Sequence, residues 1–399
     1  MKMFAQDGYG SSDKIKKGLE DNVIQGALLS PRYRSPDNFI EKIDDLPQDN
    51  AELFIDPAFH AYINIGKPNA KLGKLEEWNY FSAPRRSHLI SGIAIDPLIE
   101  NTLLSQKALP VAGYVSPNIF IENANSIDAG IAQNMVSKAK NVAQKCGADD
   151  KPVFASLALH RDVLSPNNAF NDMVEALTAI ESPPDGFYVL IGSGSTGGHI
   201  RSDIFHGNVI AGWMYLNYAL SINGFKVING YSDLLSPLLG ICGAYAGASG
   251  WFGSLRQFSM NNYIKPASSG GSTPLIRYVS TALMARIKQT EYDDFIVIDS
   301  RIANGLSSDD GYNKTHENET TRCDEALQSW DALSSLSTDC ITGDIYDDLD
   351  GFLSRITTAR QIWSQLEEAG LTGAIEAHLE KLSALESGIQ IFREWAELT

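Results

Sequence analysis

The stretch ASLALHRD, residues 155–162, is an apolar run that stops abruptly on His160, Arg161 and Asp162. In parallel α/β folds the ligand sits at the carboxyl ends of the strands. A buried strand that ends in three ionisable residues therefore reads as one that has reached the mouth of such a sheet. Seven further short apolar runs carry the same pattern: VIQGALLS (23–30), ELFID (52–56), PVAGYV (110–115), FYVLIG (187–192), KVING (226–230), ASGWF (248–252) and FIVID (295–299). Helical stretches are expected between them, at the start signal SPDNFIEKIDDL, at NANSIDAGIAQNMVSKAKNVAQKCG, and over 88–107, 167–181, 207–223, 232–246 and 274–290.

Eight βα units in about 300 residues match a (β/α)8 TIM-like barrel. An open doubly wound sheet is the alternative, because periodicity does not show closure. The barrel is expected over 1–300, with a long loop at 57–87. A polar linker follows at 301–322, then a helical region at 323–399. In that region Ile345, Leu349, Phe352, Ile356, Ala359, Trp363 and Leu366 share one helix face, and Leu371, Ile375, Leu379, Leu382, Leu385, Ile389, Phe392 and Trp395 share another. These faces suit a last barrel helix with an appendage, or a homo-oligomer or protein-complex interface through 345–399.

The chain has 399 residues, a net charge of −17 and 43% hydrophobic content, which is the composition of a globular protein. No apolar run reaches the roughly 18–20 residues needed to span a bilayer, and the polar start is unlike a signal peptide, so a cytoplasmic location is expected. The acidic balance argues against a surface that binds nucleic acid throughout, while permitting a local basic site. The four cysteines, Cys146, Cys242, Cys323 and Cys340, form no CxxC pair, and no HxH or HExxH metal motif is present. No cofactor fingerprint is legible, so the cofactor stays unknown.

Against that acidic background the strand ends are rich in arginine. Arg32 and Arg34 follow the first run, Asp56 and His60 the second, Ser116 and Asn118 the third, and Arg161 the fourth. The loop GSGSTGGH, with Ser193 and Gly194, leads to Arg201; Tyr231 and Asp233 follow KVING, and Arg256 and Gln257 follow ASGWF. Forked guanidinium groups converging on one face suit phosphate or carboxylate, so an anionic ligand, nucleotide or nucleic acid, is expected. Single polar residues such as Ser116, Asn118 and Ser232 also serve as helix caps. Asp56, His160 and Asp162 are the nominated acid and base groups. In the long loop, Trp78, Tyr80 and Phe81 beside Arg85 and Arg86 are suited either to stacking on a base or to packing the loop down.

The stretch NGYSDLLSPLLGICGAYAGASGWFGSLRQF (229–258) resembles the late barrel of tRNA-guanine transglycosylases, where a glycine turn, a helix and a strand lead to an arginine-bearing loop. The Cys323 region resembles a stripped version of that family's zinc-bearing tail. Where the family carries a catalytic aspartate after the seventh strand, this chain has Gly250-Trp251-Phe252-Gly253, and Cys323 alone stands for the cysteine cluster. The resemblance thus implies a barrel that binds a nucleotide or nucleic-acid segment, with glycosyl-bond chemistry as one candidate reaction. The competing expectation is a non-catalytic barrel that serves as a binding subunit.

Overall fold

A computed structural model describes residues 1–10, 13–47, 49, 51–194, 202–266, 275–313, 321–371 and 374–398. Eight parallel strands form a nearly closed barrel: β1 (Lys2–Gln6), β2 (Gly26–Leu29), β3 (Glu52–Ile55), β4 (Tyr114–Ser116), β6 (Val153–His160), β7 (Gly186–Gly192), β8 (Lys226–Gly230) and β9 (Ala246–Ser249), with the short β5 (Phe120–Ile121) beside β6. The seam lies between β3 and β4, where the Ala112 N–H donates to Leu53 O at 2.8 Å. Closure on the other side comes from β1, which pairs with both β2 and β9.

Helices cover the barrel in chain order: α1 (Lys14–Glu20), α2 (Pro36–Asp44), α3 (Arg86–Ile90), α4 (Ile95–Lys107), α5 (Ile127–Lys145), α6 (Asn168–Thr178), α7 (Gly207–Ile222) and α8 (Ser236–Ile241). Start signals act as the sequence suggests; the Ser126 side chain, for example, caps α5 by accepting the Ala129 N–H at 3.1 Å. After β9 the chain inserts the hairpin β10 (Arg277–Ser280) and β11 (Ala285–Lys288), then α9 (Gln289–Ile298) and α10 (Ser307–Asn313). It returns through α11 (Arg322–Cys340), which packs on β1, α1 and α8 and is the barrel helix that follows the last strand. The appendage is α12 (Ile345–Glu368) and α13 (Ile375–Trp395), and α13 lies along α7.

Three sequence expectations change. FIVID is the end of α9, and the strand that completes the eight is the N-terminal KMFAQ, first in chain order; Phe295 is buried while Val297 is 82% exposed, which is a helical rather than a strand pattern. The segment 274–290 is a hairpin over its described part, turned at Met284 with φ of 51°. Its Val279 N–H and C=O are both taken by the Gln328 side chain, at 2.9 Å each, so α11 supplies the edge partner the hairpin lacks. The polar linker contains α10, whose Asp309 accepts from the Tyr278 hydroxyl at 3.0 Å and whose Tyr312 packs in the Tyr278–Tyr292 aromatic cluster.

Candidate functional site: a cationic cavity beside the last barrel strands

The opening stretch behaves as read. β6 is buried as far as Leu159, half-buried His160 closes its ladder against Gly192, and a 3-10 turn carries Arg161 and Asp162 away. The mouth residues are nevertheless not one constellation. Arg34 is ion-paired to buried Asp7 at 2.5 Å, and Arg32 donates to Lys71 O and Asn262 O while stacking on Tyr263. Arg161 is held by Asp162 at 3.1 Å and by Asp203 O. Arg256 donates to Gly250 O, Trp251 O and Glu325, and burial pushes its guanidinium down to about 10. Arg201 lies outside the described residues, as does most of GSGSTGGH. The arginines thus tie loops to the barrel instead of clamping a common ligand.

The other nominated residues divide similarly. His60 bonds the Tyr263 hydroxyl at 3.0 Å, and burial pushes its imidazole down to about 3. Asn118 donates to Ser156 O at 2.6 Å. Ser193 and the Gly194 N–H both donate to the Asp203 carboxylate. His160 and Asp162 meet each other, with Nδ1 and Oδ2 3.3 Å apart. Asp56 is enclosed in the barrel interior, where burial pushes its carboxyl up to about 6 although the Ala58 N–H donates to it. In the long loop, Trp78, Tyr80 and Phe81 are buried; Trp78 packs edge-on to Phe39 and donates to Pro31 O and Arg34 O. The aromatics pack the loop and present no stacking surface.

A cavity of about 370 Å³ opens instead at the ends of β7, β8 and β9. Of the nominated residues, Tyr231, Asp233, Arg256 and Gln257 line it. The rest of its titratable wall comes from segments the sequence reading passed over: Arg277, Arg286 and Lys288 on the hairpin, Glu291 at the start of α9, and His378 and Lys381 on α13. Ile191, Ile204, Phe205, Trp213, Leu234 and Leu235 form the apolar side. A signal was present in the sequence. Arg286 and Lys288 stand two apart on a strand, and His378 and Lys381 three apart on a helix, so each pair shares a face.

Electrostatics are concentrated here. Five cationic side chains, Arg256, Arg277, Arg286, Lys288 and Lys381, line the cavity against two carboxylates, Asp233 and Glu291. Burial opposes the charge of Asp233, but Arg286 at 2.6 Å outweighs it and holds the carboxyl at about 2. Arg286 is further fixed by Ser329 at 2.7 Å. Lys381, only 6% exposed, makes no hydrogen bond or ion pair among the described residues; burial pushes its amine down to about 7. Arg277 is likewise unpaired there. Tyr231 and Asp233 adopt left-handed backbone, with φ of 55° and 42°, a strain that clusters at functional sites.

The chain is thus a nearly closed (β/α)8 barrel with a helical appendage that helps to wall one cationic cavity. No family model matches it, and no curated protein matches it. No helix of the described residues is long and apolar enough to cross a membrane. Among the described residues, no group of three or more His, Cys, Asp or Glu side chains is placed to hold a metal ion.

Proposed function

We propose that the protein is a barrel enzyme that acts on a small phosphorylated molecule, up to the size of a mononucleotide, bound in this cavity. The observation that carries the reading is the excess of five cations over two carboxylates around one cavity, on a chain of net charge −17. Barrel enzymes hold phosphate near the loops after the seventh and eighth strands. In this barrel those strands are β8 and β9, whose loops supply Tyr231, Asp233, Arg256 and Gln257.

Arg286 and Arg256 are already satisfied by protein partners, so they set the local potential. Among the described residues Arg277 makes no side-chain hydrogen bond or ion pair, so it is left to meet an anion directly. Trp213, Phe205 and Ile204 offer an apolar wall for a base, ring or carbon skeleton. A cavity of about 370 Å³ admits a small molecule rather than a length of nucleic acid.

Calorimetric titration with inorganic phosphate and with a nucleoside monophosphate tests this. A charge-assisted contact is worth about 1.5–3 kcal/mol, so Arg277→Ala should weaken phosphate binding by about tenfold or more. Absence of phosphate binding to the intact protein, or identical binding by Arg277→Ala, would overturn the reading.

A further inference from the structure

We propose that the ε-amine of Lys381 is a nucleophile that forms an imine with the carbonyl carbon of a small anionic aldehyde or ketone held in the cavity. The proposal rests on the anion-site reading above and adds a reaction to it.

Lys381 lies on the otherwise apolar face of α13 made by Leu382, Leu385 and Ile389, yet its amine is directed to the cavity. Nζ stands 4.3 Å from the Phe205 ring centroid. The charged and titratable groups that line the cavity with it are Asp233 after β8, Arg277, Arg286 and Lys288 on the hairpin, Glu291 at the start of α9, Arg256 after β9, and His378 one turn earlier on α13. The carboxylate of Asp233 acts on Lys381 through space, but its hydrogen bonds are committed to Arg286 and the Ser249 hydroxyl, and among the described residues no carboxylate bonds the amine, so burial outweighs it. A lysine desolvated by apolar walls and set beside another cation is the arrangement that frees the amine lone pair at neutral pH. The amine value of about 7 agrees with that geometry.

The step balances without an oxidant or reductant. The neutral Nζ lone pair attacks the carbonyl carbon, and the C=O π pair moves to oxygen, which takes up a proton. The carbinolamine then expels that oxygen as water, so both amine hydrogens leave in the water and one C=N bond replaces one C=O bond. His378, held neutral because burial pushes its imidazole down to about 3, lines the cavity as an uncharged hydrogen-bonding group beside the amine.

Pyridoxal 5′-phosphate joins an aldehyde to a phosphate and serves as the probe, with borohydride to reduce the imine and peptide mass mapping to locate it. Labelling is expected at Lys381 of the intact chain at low probe ratio, with a midpoint near pH 7, protection by inorganic phosphate, and loss in Lys381→Met. Mapping on the unsubstituted chain needs no variant to fold. Label spread over surface lysines, while calorimetry still shows phosphate binding, would overturn the imine and leave the anion site standing. Absence of phosphate binding removes the anion site itself. Equal labelling of Lys381 by phosphate-free pyridoxal would overturn the anionic requirement alone.

Discussion

Asp56 and Lys381 are both buried at the wrong charge for their surroundings, and each therefore carries a pH signature. The carboxyl of Asp56 is raised by burial from 3.8 to about 6, so the folded protein binds this proton more tightly than the unfolded chain does. Its contribution to stability is full below 3.8, declines through the window up to about 6, and above that window is a penalty of at most about 3 kcal/mol. Asp56→Asn should therefore raise the melting temperature at about pH 8, with the gain vanishing by about pH 4; a gain independent of pH in thermal melts would refute burial as the cause. Lys381 has the opposite sign. Its value is lowered from 10.5 to about 7, so the penalty is full below about 7 and is relieved as pH rises toward 10.5. Lys381→Met should stabilise the fold most near about pH 6 and least near about pH 10, as read from urea midpoints across pH. Sequence placed Asp56 at a strand end correctly, but its partners were illegible. Arg256, for instance, is answered by Glu325, a residue 69 positions away.

At the scale of elements, the runs that read correctly are those buried on both faces, such as β6 and β7, because a continuous apolar stretch has few other uses. β1 escaped notice since it is only five residues long and begins at a lysine. FIVID misled because β-branched residues also fill the exposed end of a helix, here α9. The appendage was read as helical, but not as part of a site: α13 brings His378 and Lys381 to the cavity only because it lies tightly along α7. Gly388 permits that approach, since a Cβ there would stand 2.6 Å from Ile210 Cγ2. Gly388→Val should cost about 1–3 kcal/mol by overpacking. It should also weaken phosphate binding, because the cavity loses the register of its α13 wall. Unchanged phosphate affinity in that variant would show that the appendage does not complete the site.

For the molecule as a whole, charge is distributed against its own average: net −17 over the whole chain, and a cationic excess around one cavity. Self-repulsion of the acidic surface is screened by salt, and so is attraction of an anion to the cavity. Raising ionic strength from about 0.01 M to about 0.5 M should increase the melting temperature while lowering phosphate affinity. Melts and titrations in the same salt series check both, and parallel movement of the two would contradict the separation of charge.

The alternation of buried runs and helical stretches, the position of the mouth at His160, and the acidic balance followed from the sequence by itself, since they are set by local pattern and composition. Only the tertiary structure decided that the N-terminal segment completes the barrel, that the described mouth arginines are spent on Asp7, Asp162, Glu325 and backbone carbonyls, and that the basic side chains unpaired among the described residues come from the hairpin and α13. The physical reason is that a charge is defined as partnered or free by what the fold sets beside it. Those partners lie far along the chain, where neither periodicity nor spacing reaches.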